Sequence, residues 1–310
     1  MEQQGTDIKE TKRSGSGLPV VILIVAACVV AAVFIARYFH RESVPQVWTV
    51  TSYASVTDKQ CTIYTIEDNK GHFVIIDGGF SEDAEDLLHR IIDHDRHVDA
   101  WIVTHAHPDH VGAFDNLMLS VPDEFSVDVI YMPEAGKDIY LEKAKPWDDV
   151  QWFLMMEDAI EGLDNVVYLH ENDEVDLIGL KMKVLSAWDE NVESLPRQLP
   201  NDGSLMFRLE GAEDVMLFCS DVEDVMTQWI VPAHKEELRA DYLQVAHHGN
   251  DGLAKEFYDY VKPKVAFMDA PEWLLDPESK YGAHDMREYL KAMGAEVLTF
   301  ETAPNSIELR

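Results

Sequence analysis

Thr104-His105-Ala106-His107-Pro108-Asp109-His110-Val111-Gly112 is the stretch that decides how the rest of this 310-residue chain is read. Three imidazoles and one carboxylate fall within the six positions 105–110, and that mixture of nitrogen and oxygen donors suits zinc, iron or manganese better than calcium or magnesium. The run before it, Val98 to Val103, is rich in β-branched and aromatic residues and reads as a buried strand ending near Thr104. Side chains two apart on an extended segment share a face, so His105 and His107 can reach one ion together. Pro108 suits the first turn of a helix running to about Ser120, and Asp109 and His110 then point to a neighbouring position. One tight turn thereby serves two metal positions. The competing reading, four polar residues on a solvated loop, is disfavoured because the cluster stands directly after an apolar strand.

His-x-His-x-Asp-His at a strand-to-helix turn resembles the signature of the metallo-β-lactamase-fold hydrolases, and the resemblance extends over nearly all of residues 47–310. It implies an α/β chain folded as a four-layer αββα sandwich with two metal ions at the rim between its sheets. Asp77, in Asp77-Gly78-Gly79 after the strand Phe73 to Ile76, is then the carboxylate that steadies the metal histidines; taken alone it reads as a turn. Ser220-Asp221, after the strand Val215 to Cys219, matches the family's Gly-Asp motif with serine in place of glycine. The resemblance makes Asp221 a bridge between both ions, where by itself it would read as a helix cap. The strand Asp241 to Val245 leads to Ala246-His247-His248-Gly249, where one of two histidines closes the second metal position. His247 is taken as that ligand, with His248 behind it or against substrate.

Many family members carry a further metal-binding histidine just before a Gly-Ser, where this chain has Asn201-Asp202-Gly203-Ser204. That departure, with Asn201 and Asp202 at the place of the histidine, resembles the hydrolase-like domain of bacterial competence DNA-uptake proteins, and it leaves the third ligand of the first ion open. Those relatives also carry a Tyr-Gly-His loop, approached here by Tyr281-Gly282-Ala283-His284 with the histidine displaced by one residue. His284 is therefore a candidate catalytic proton donor or a plain helix-cap neighbour. His170, at the end of a strand from Val166, is a candidate ligand or an exposed histidine.

Outside the motifs, Leu18 to Ala36 runs without a charge and is closed by Arg37 and Arg41. It is long enough to cross a bilayer core of roughly 30 Å at 1.5 Å per residue, and no small-x-small cleavage site precedes the arginines. The expected organisation is a polar tail over 1–17, a transmembrane anchor over 18–38, a linker over 39–46 and a hydrolase domain over 47–310. Lys9, Lys12 and Arg13 before the span outnumber Arg37 and Arg41 after it, which favours a single-pass membrane protein with its catalytic domain extracytoplasmic. Residues 1–41 hold five basic and three acidic residues, leaving 20 basic against 55 acidic in the remainder, a net of −35. So acidic a domain lacks the clustered Lys and Arg that a nucleic-acid backbone requires. Cys61 and Cys219 read as small core residues rather than a disulfide. Ser81 to His94 reads as an amphipathic helix capped by Ser81. The helical stretch Tyr140 to Leu163, with Trp147, Trp152, Phe153, Met155 and Met156, is either a substrate rim or core.

The expected function is that of a membrane-anchored metallo-hydrolase. Two divalent ions, zinc first and manganese or iron as alternatives, would hold a hydroxide against a phosphodiester or another ester. In this scheme His105 and His107 hold one ion, Asp109, His110 and His247 the other, and Asp221 spans both. Two alternatives remain: a binding module that kept the fold without catalysis, and a nuclease linked to DNA uptake, against which the acidity counts.

Overall fold

The computed structural model describes residues 28–31, 44–145, 148–196 and 199–310. Residues 28–31 are helical and exposed, and the remainder of the expected span over 18–38 lies outside the described residues, as does Trp147. Among the described residues no helix is long and apolar enough to cross a membrane. Gln46–Arg310 forms one compact unit.

Its strands in chain order are β1 Trp48–Ser52, β2 Ile63–Asp68, β3 Phe73–Asp77, β4 His97–Val98, β5 Ala100–Ile102, β6 Ser126–Val127, β7 Ile130–Pro133, β8 Val166–Leu169, β9 Glu174–Leu177, β10 Leu180–Ser186, β11 Met206–Glu210, β12 Val215–Phe218, β13 Tyr242–Gln244, β14 Val265–Phe267, β15 Glu296–Leu298 and β16 Asn305–Leu309. They form two seven-stranded sheets, ordered β16-β1-β2-β3-β5-β7-β8 and β15-β14-β13-β12-β11-β10-β9, while β4 and β6 pair beside them. Each large sheet is antiparallel in one half and parallel in the other: β3, β5, β7 and β8 run parallel, as do β12, β13, β14 and β15. The parallel strands need cover on both faces, and their composition obeys that need. Phe-Val-Ile-Ile-Asp in β3 is buried at every position, and so is Ala-Trp-Ile in β5.

Two apolar clusters fill the layers. Between the sheets, Val50, Tyr64, Ile66, Val74 and Ile102 of the first meet Val184, Phe207, Leu209, Phe218 and Phe267 of the second. Tyr64 stands edge-on to Phe218 at 5.2 Å and to Phe267 at 6.0 Å, and aromatic pairs of this kind add about 0.5–1.5 kcal/mol each beyond the area they bury. On the outer faces, helices such as Ala84–Asp93, Pro108–Ser120, Thr227–His234, Lys255–Val261 and Ala283–Ala292 cover the sheets with Leu87, Ile91, Phe114, Ile230, Phe257 and Leu290. Helix, sheet, sheet and helix thus form the expected four layers.

Local differences have local causes. The helix expected from Ser81 starts at Ala84, after a 3₁₀ turn Ser81–Asp83. Ser81 does not cap it: its hydroxyl donates to Gly112 O at 3.2 Å, and Asp83 accepts the Phe80 amide at 2.9 Å instead. The long helical stretch divides into Lys137–Lys143 and Val150–Ile160, and Asn201 and Asp202 lie in a helical turn, Leu199–Asp202. Cys61 and Cys219 are buried and free.

The helix Pro108–Ser120 contains one costly residue. Asp115 is fully buried, neither of its oxygens meets a hydrogen-bond partner among the described residues, and burial pushes its carboxyl up to about 8. The folded chain therefore holds this proton where the unfolded chain, at the ordinary 3.8, releases it. The resulting stability is complete below the unfolded value and is lost as pH rises through the folded one. Asp115→Asn is expected to gain melting temperature relative to the parent chain as pH goes from about 5 to about 8. Parallel melting curves at the two pH values check this.

Candidate metal centre

The candidate ligands share one topological address, just beyond the carboxyl ends of parallel strands, where α/β sheets place ligands. β3 ends at Asp77, β5 leads into Thr104 to His107, β12 into Ser220 and Asp221, and β13 into His247 and His248.

Asp77 organises the first sheet's share. Its backbone is left-handed, with φ of 55°, a conformation that aspartate tolerates better than most residues. Its carboxylate accepts the Thr104 amide at 2.7 Å, the Thr104 hydroxyl at 2.8 Å and His110 Nδ1 at 2.7 Å. An acceptor at Nδ1 fixes the proton there and leaves His110 Nε2 facing Asp221 Oδ1 at 3.2 Å. Gly112 lets the helix come this close. A Cβ on Gly112 would lie 2.6 Å from the Ser81 amide nitrogen and 2.8 Å from the Phe80 carbonyl carbon.

The second sheet contributes through strained turns. Ser220 has φ of 48°, and His247, His248 and Gly249 follow one another at 49°, 55° and 81°, values that cost a non-glycine residue energy unless its surroundings hold it. Ser220 is held by its amide on Gln244 Oε1 at 2.7 Å and by its hydroxyl on Thr104 Oγ1 at 2.7 Å, a bond that joins the two sheets. The left-handed backbone explains why the related motif has glycine there.

Two donor groups result: His105, His107 and Asp221, and Asp109, His110 and His248, each with its donor atoms within 4.8 Å of one another. Asp221 reaches both, since its oxygens stand 3.9 Å from His105 Nε2, 3.2 Å from His110 Nε2 and 3.5 Å from His248 Nε2. The Nε2 atoms of His105, His107, His110 and His248, and Asp221 Oδ1, are buried without a hydrogen-bond partner among the described residues. Buried polar atoms are rarely left so, and here the orphaned atoms converge. The donor set fits divalent ions of the zinc type.

The electrostatics agree with that chemistry. Burial, with the neighbouring imidazoles of His110 and His107, holds His105 well below the usual histidine range, and burial lowers His107 as well. Burial opposes charge on His110 and His248 too, but the carboxylates together outweigh it, Asp221 with Asp77 at His110 and Asp221 with Asp109 at His248; His248 is pushed up to about 10. Against its own burial, Asp221 is held well below the carboxylate range by His110, His248 and His247.

Several expected residues take other places. His248, not His247, joins Asp109 and His110, with Nε2 3.5 Å from Asp109 Oδ2. His247 stands in the mouth, more exposed than its neighbour, with Nε2 3.8 Å from Asp221 and Nδ1 3.7 Å from Glu223. His284 joins neither group: its Nδ1 meets the Leu275 carbonyl at 3.1 Å and Arg287 at 3.2 Å. His170 is exposed and paired with Glu134 at 3.0 Å. Asn201 and Asp202 are buried behind the mouth, where Asn201 Nδ2 donates to Glu223 Oε1 at 2.9 Å and Asp202 Oδ1 accepts the Glu223 amide at 3.2 Å. Glu223 was not singled out from the sequence, although it stands two residues after Asp221. Phe153 and Met156 are core rather than rim, lining with Tyr140 and Trp188 a cavity of about 20 Å³ against His105. A third trio, His97, Asp99 and Asp128, is open to solvent, and His97 is already paired with Asp128 at 3.0 Å.

Histidines 247 and 248 can be told apart by metal content. His248→Ala is expected to lose one of two ions per chain and His247→Ala to keep both, as elemental analysis after dialysis will show.

Residues 56–170 match the sequence family described as Metallo-beta-lactamase superfamily. The hydroxyacylglutathione hydrolases of two Aliivibrio fischeri strains, MJ11 and ATCC 700601 / ES114, are each 38% identical to this chain, over 68 and 61 residues, or 22% and 20% of it. The chain matches only about a quarter of these relatives' own length, 25% and 23%. Among solved structures, the metallo-beta-lactamase fold protein YhfI from Bacillus subtilis aligns with a TM-score of 0.52 and 12% identity, over 85% of this chain and all of YhfI. The CmlA beta-hydroxylase E377D mutant aligns with the same TM-score and identity, over 86% of this chain and 54% of its own. At such identities these likenesses concern the fold. With the αββα layers and the donor groups at the strand ends, they lead to one conclusion: this chain carries a metallo-β-lactamase superfamily domain.

Proposed function

We propose that the chain is a metal-dependent hydrolase of a phosphodiester or another ester. The observation that supports this reading best is the convergence of four orphaned imidazole nitrogens and Asp221 at one mouth. Ions bound there would activate a water and polarise the scissile carbonyl or phosphoryl oxygen. His105 and His107 would hold one ion, Asp109, His110 and His248 the other, with Asp221 between them. The protein's own part is to keep those donors rigid, through Asp77 behind His110 and Ser220 beside Thr104. His247, outside both groups and flanked by Asp221 and Glu223, is left to pass a proton to the leaving group, the role first considered for His284.

The short match to hydroxyacylglutathione hydrolases supports an ester substrate and makes a thioester one arm of the test. The acidity of the domain supports a small substrate over a nucleic-acid strand. The charge-free run Leu18 to Ala36 supports a membrane anchor, and the excess of Lys9, Lys12 and Arg13 before it over Arg37 and Arg41 after it supports a domain on the extracytoplasmic side.

The test sets bis-p-nitrophenyl phosphate beside S-lactoylglutathione with the metal-loaded protein. His107→Ala and Asp221→Ala are expected to abolish turnover of whichever ester is hydrolysed. His247→Ala is expected to keep its metal and lose about 10²- to 10⁴-fold in turnover. A metal-loaded chain that hydrolyses neither ester would favour a binding module instead.

A further inference from the structure

His248 is placed by a residue that no motif contains. Its Nδ1 lies 3.1 Å from the carbonyl oxygen of Asp269, two residues past the end of β14. A carbonyl only accepts, so the proton sits on Nδ1 and Nε2 is left toward Asp109 and Asp221. The Asp269 side chain points the other way, into the first sheet. Its Oδ1 accepts Ser52 Oγ at 3.0 Å and the Tyr64 hydroxyl at 2.8 Å, and its Oδ2 stands 2.9 Å from the same hydroxyl. Asp269, Ser52 and Tyr64 are all at most 1% exposed.

This residue therefore grips the first sheet with its side chain and an imidazole of the second sheet with its backbone. The strands on either side make the grip stiff. Tyr64 is wedged edge-on against Phe218 and Phe267, so its hydroxyl has little freedom. Met268 lies under the histidine turn, where a Cβ on Gly249 would come within 1.9 Å of its Cε. The left-handed backbone of His247 and His248 needs such support from outside, because neither residue adopts it readily.

We propose that Asp269 is the positioning residue of the Asp109, His110 and His248 metal position, setting the orientation and tautomer of His248 through a clamp on Tyr64 and Ser52. The proposal rests on reading those three residues as a metal position. It predicts an effect on one ion and not on the other, because Asp269 meets the ring of His248, whereas the ring of His105 meets Thr104 and Ser220 through its Nδ1.

Two measurements on the full chain test it, zinc affinity by chelator competition and the His248 ring by nitrogen-15 NMR of the metal-free protein. Asp269→Ala is expected to weaken one of two zinc-binding steps by about 10- to 100-fold and leave the other unchanged. Tyr64→Phe should weaken the same step less, and Asp269→Asn, which retains an acceptor for the Tyr64 hydroxyl, should restore it. In the metal-free protein, His248 Nδ1–H is expected as a slowly exchanging signal that Asp269→Ala makes exchange rapidly. Equal weakening of both zinc steps, or wild-type affinity at both in Asp269→Ala, overturns the proposal. Absence of the protected Nδ1–H signal from the parent chain overturns it even where zinc binds. A chain that binds no zinc yet keeps that signal, and loses its protection in Asp269→Ala, contradicts the metallo-hydrolase reading and leaves the clamp standing.

Discussion

The carboxylate of Asp77 is the constraint on which the rest depends. Its three short bonds, to the Thr104 amide, the Thr104 hydroxyl and His110, hold together the end of β3, the end of β5 and the start of the helix that follows. Without them the His-x-His-x-Asp-His turn would be a set of side chains on a loop. With them His105, His107, Asp109 and His110 have fixed directions before any ion arrives. Such preorganisation matters because the donors are buried: the protein has already taken them out of water, and a cation recovers the interaction they lost.

The half-parallel, half-antiparallel design of both sheets puts this arrangement within reach of a second one. In each sheet the parallel strands direct their carboxyl ends to the same edge, and the sheets face each other across a common core. Loops of the first sheet then meet loops of the second, joined by the hydroxyl pair of Thr104 and Ser220 and by the clamp of Asp269 on Tyr64 and Ser52. Asp221 comes from the second sheet and yet reaches histidines of the first. The charges at this edge are mutually dependent, since the imidazoles that hold Asp221 ionised are the ones whose charge Asp221 favours.

Backbone strain gathers at the same edge, although turns elsewhere, such as those at Ile178 and Lys262, also hold non-glycine residues at positive φ. Asp77, Ser220, His247 and His248 all have positive φ, and each is secured by bonds to neighbours in either sheet. Strain of this kind is tolerated where the surroundings over-determine it, and it re-aims side chains that a regular strand end would send elsewhere.

The sequence by itself determined the outline. The apolar runs before Asp77, His105 and Asp221 marked strands, and the spacing in Thr104 to His110 marked the strand-to-helix turn with four of the six clustered donors, because periodicity and spacing are local properties; the four layers and the place of Asp221 among the donors were what the resemblance of those motifs implied. Only the tertiary structure decided between His247 and His248, adjacent residues whose left-handed turn sends one inward to Asp109 and the other to the mouth. It also removed His284 and His170 to other partners and brought in Glu223, Ser52, Tyr64 and Asp269, residues whose neighbours lie in remote segments. A side chain's direction at a strand end depends on what packs against it from another sheet, and no local pattern encodes that.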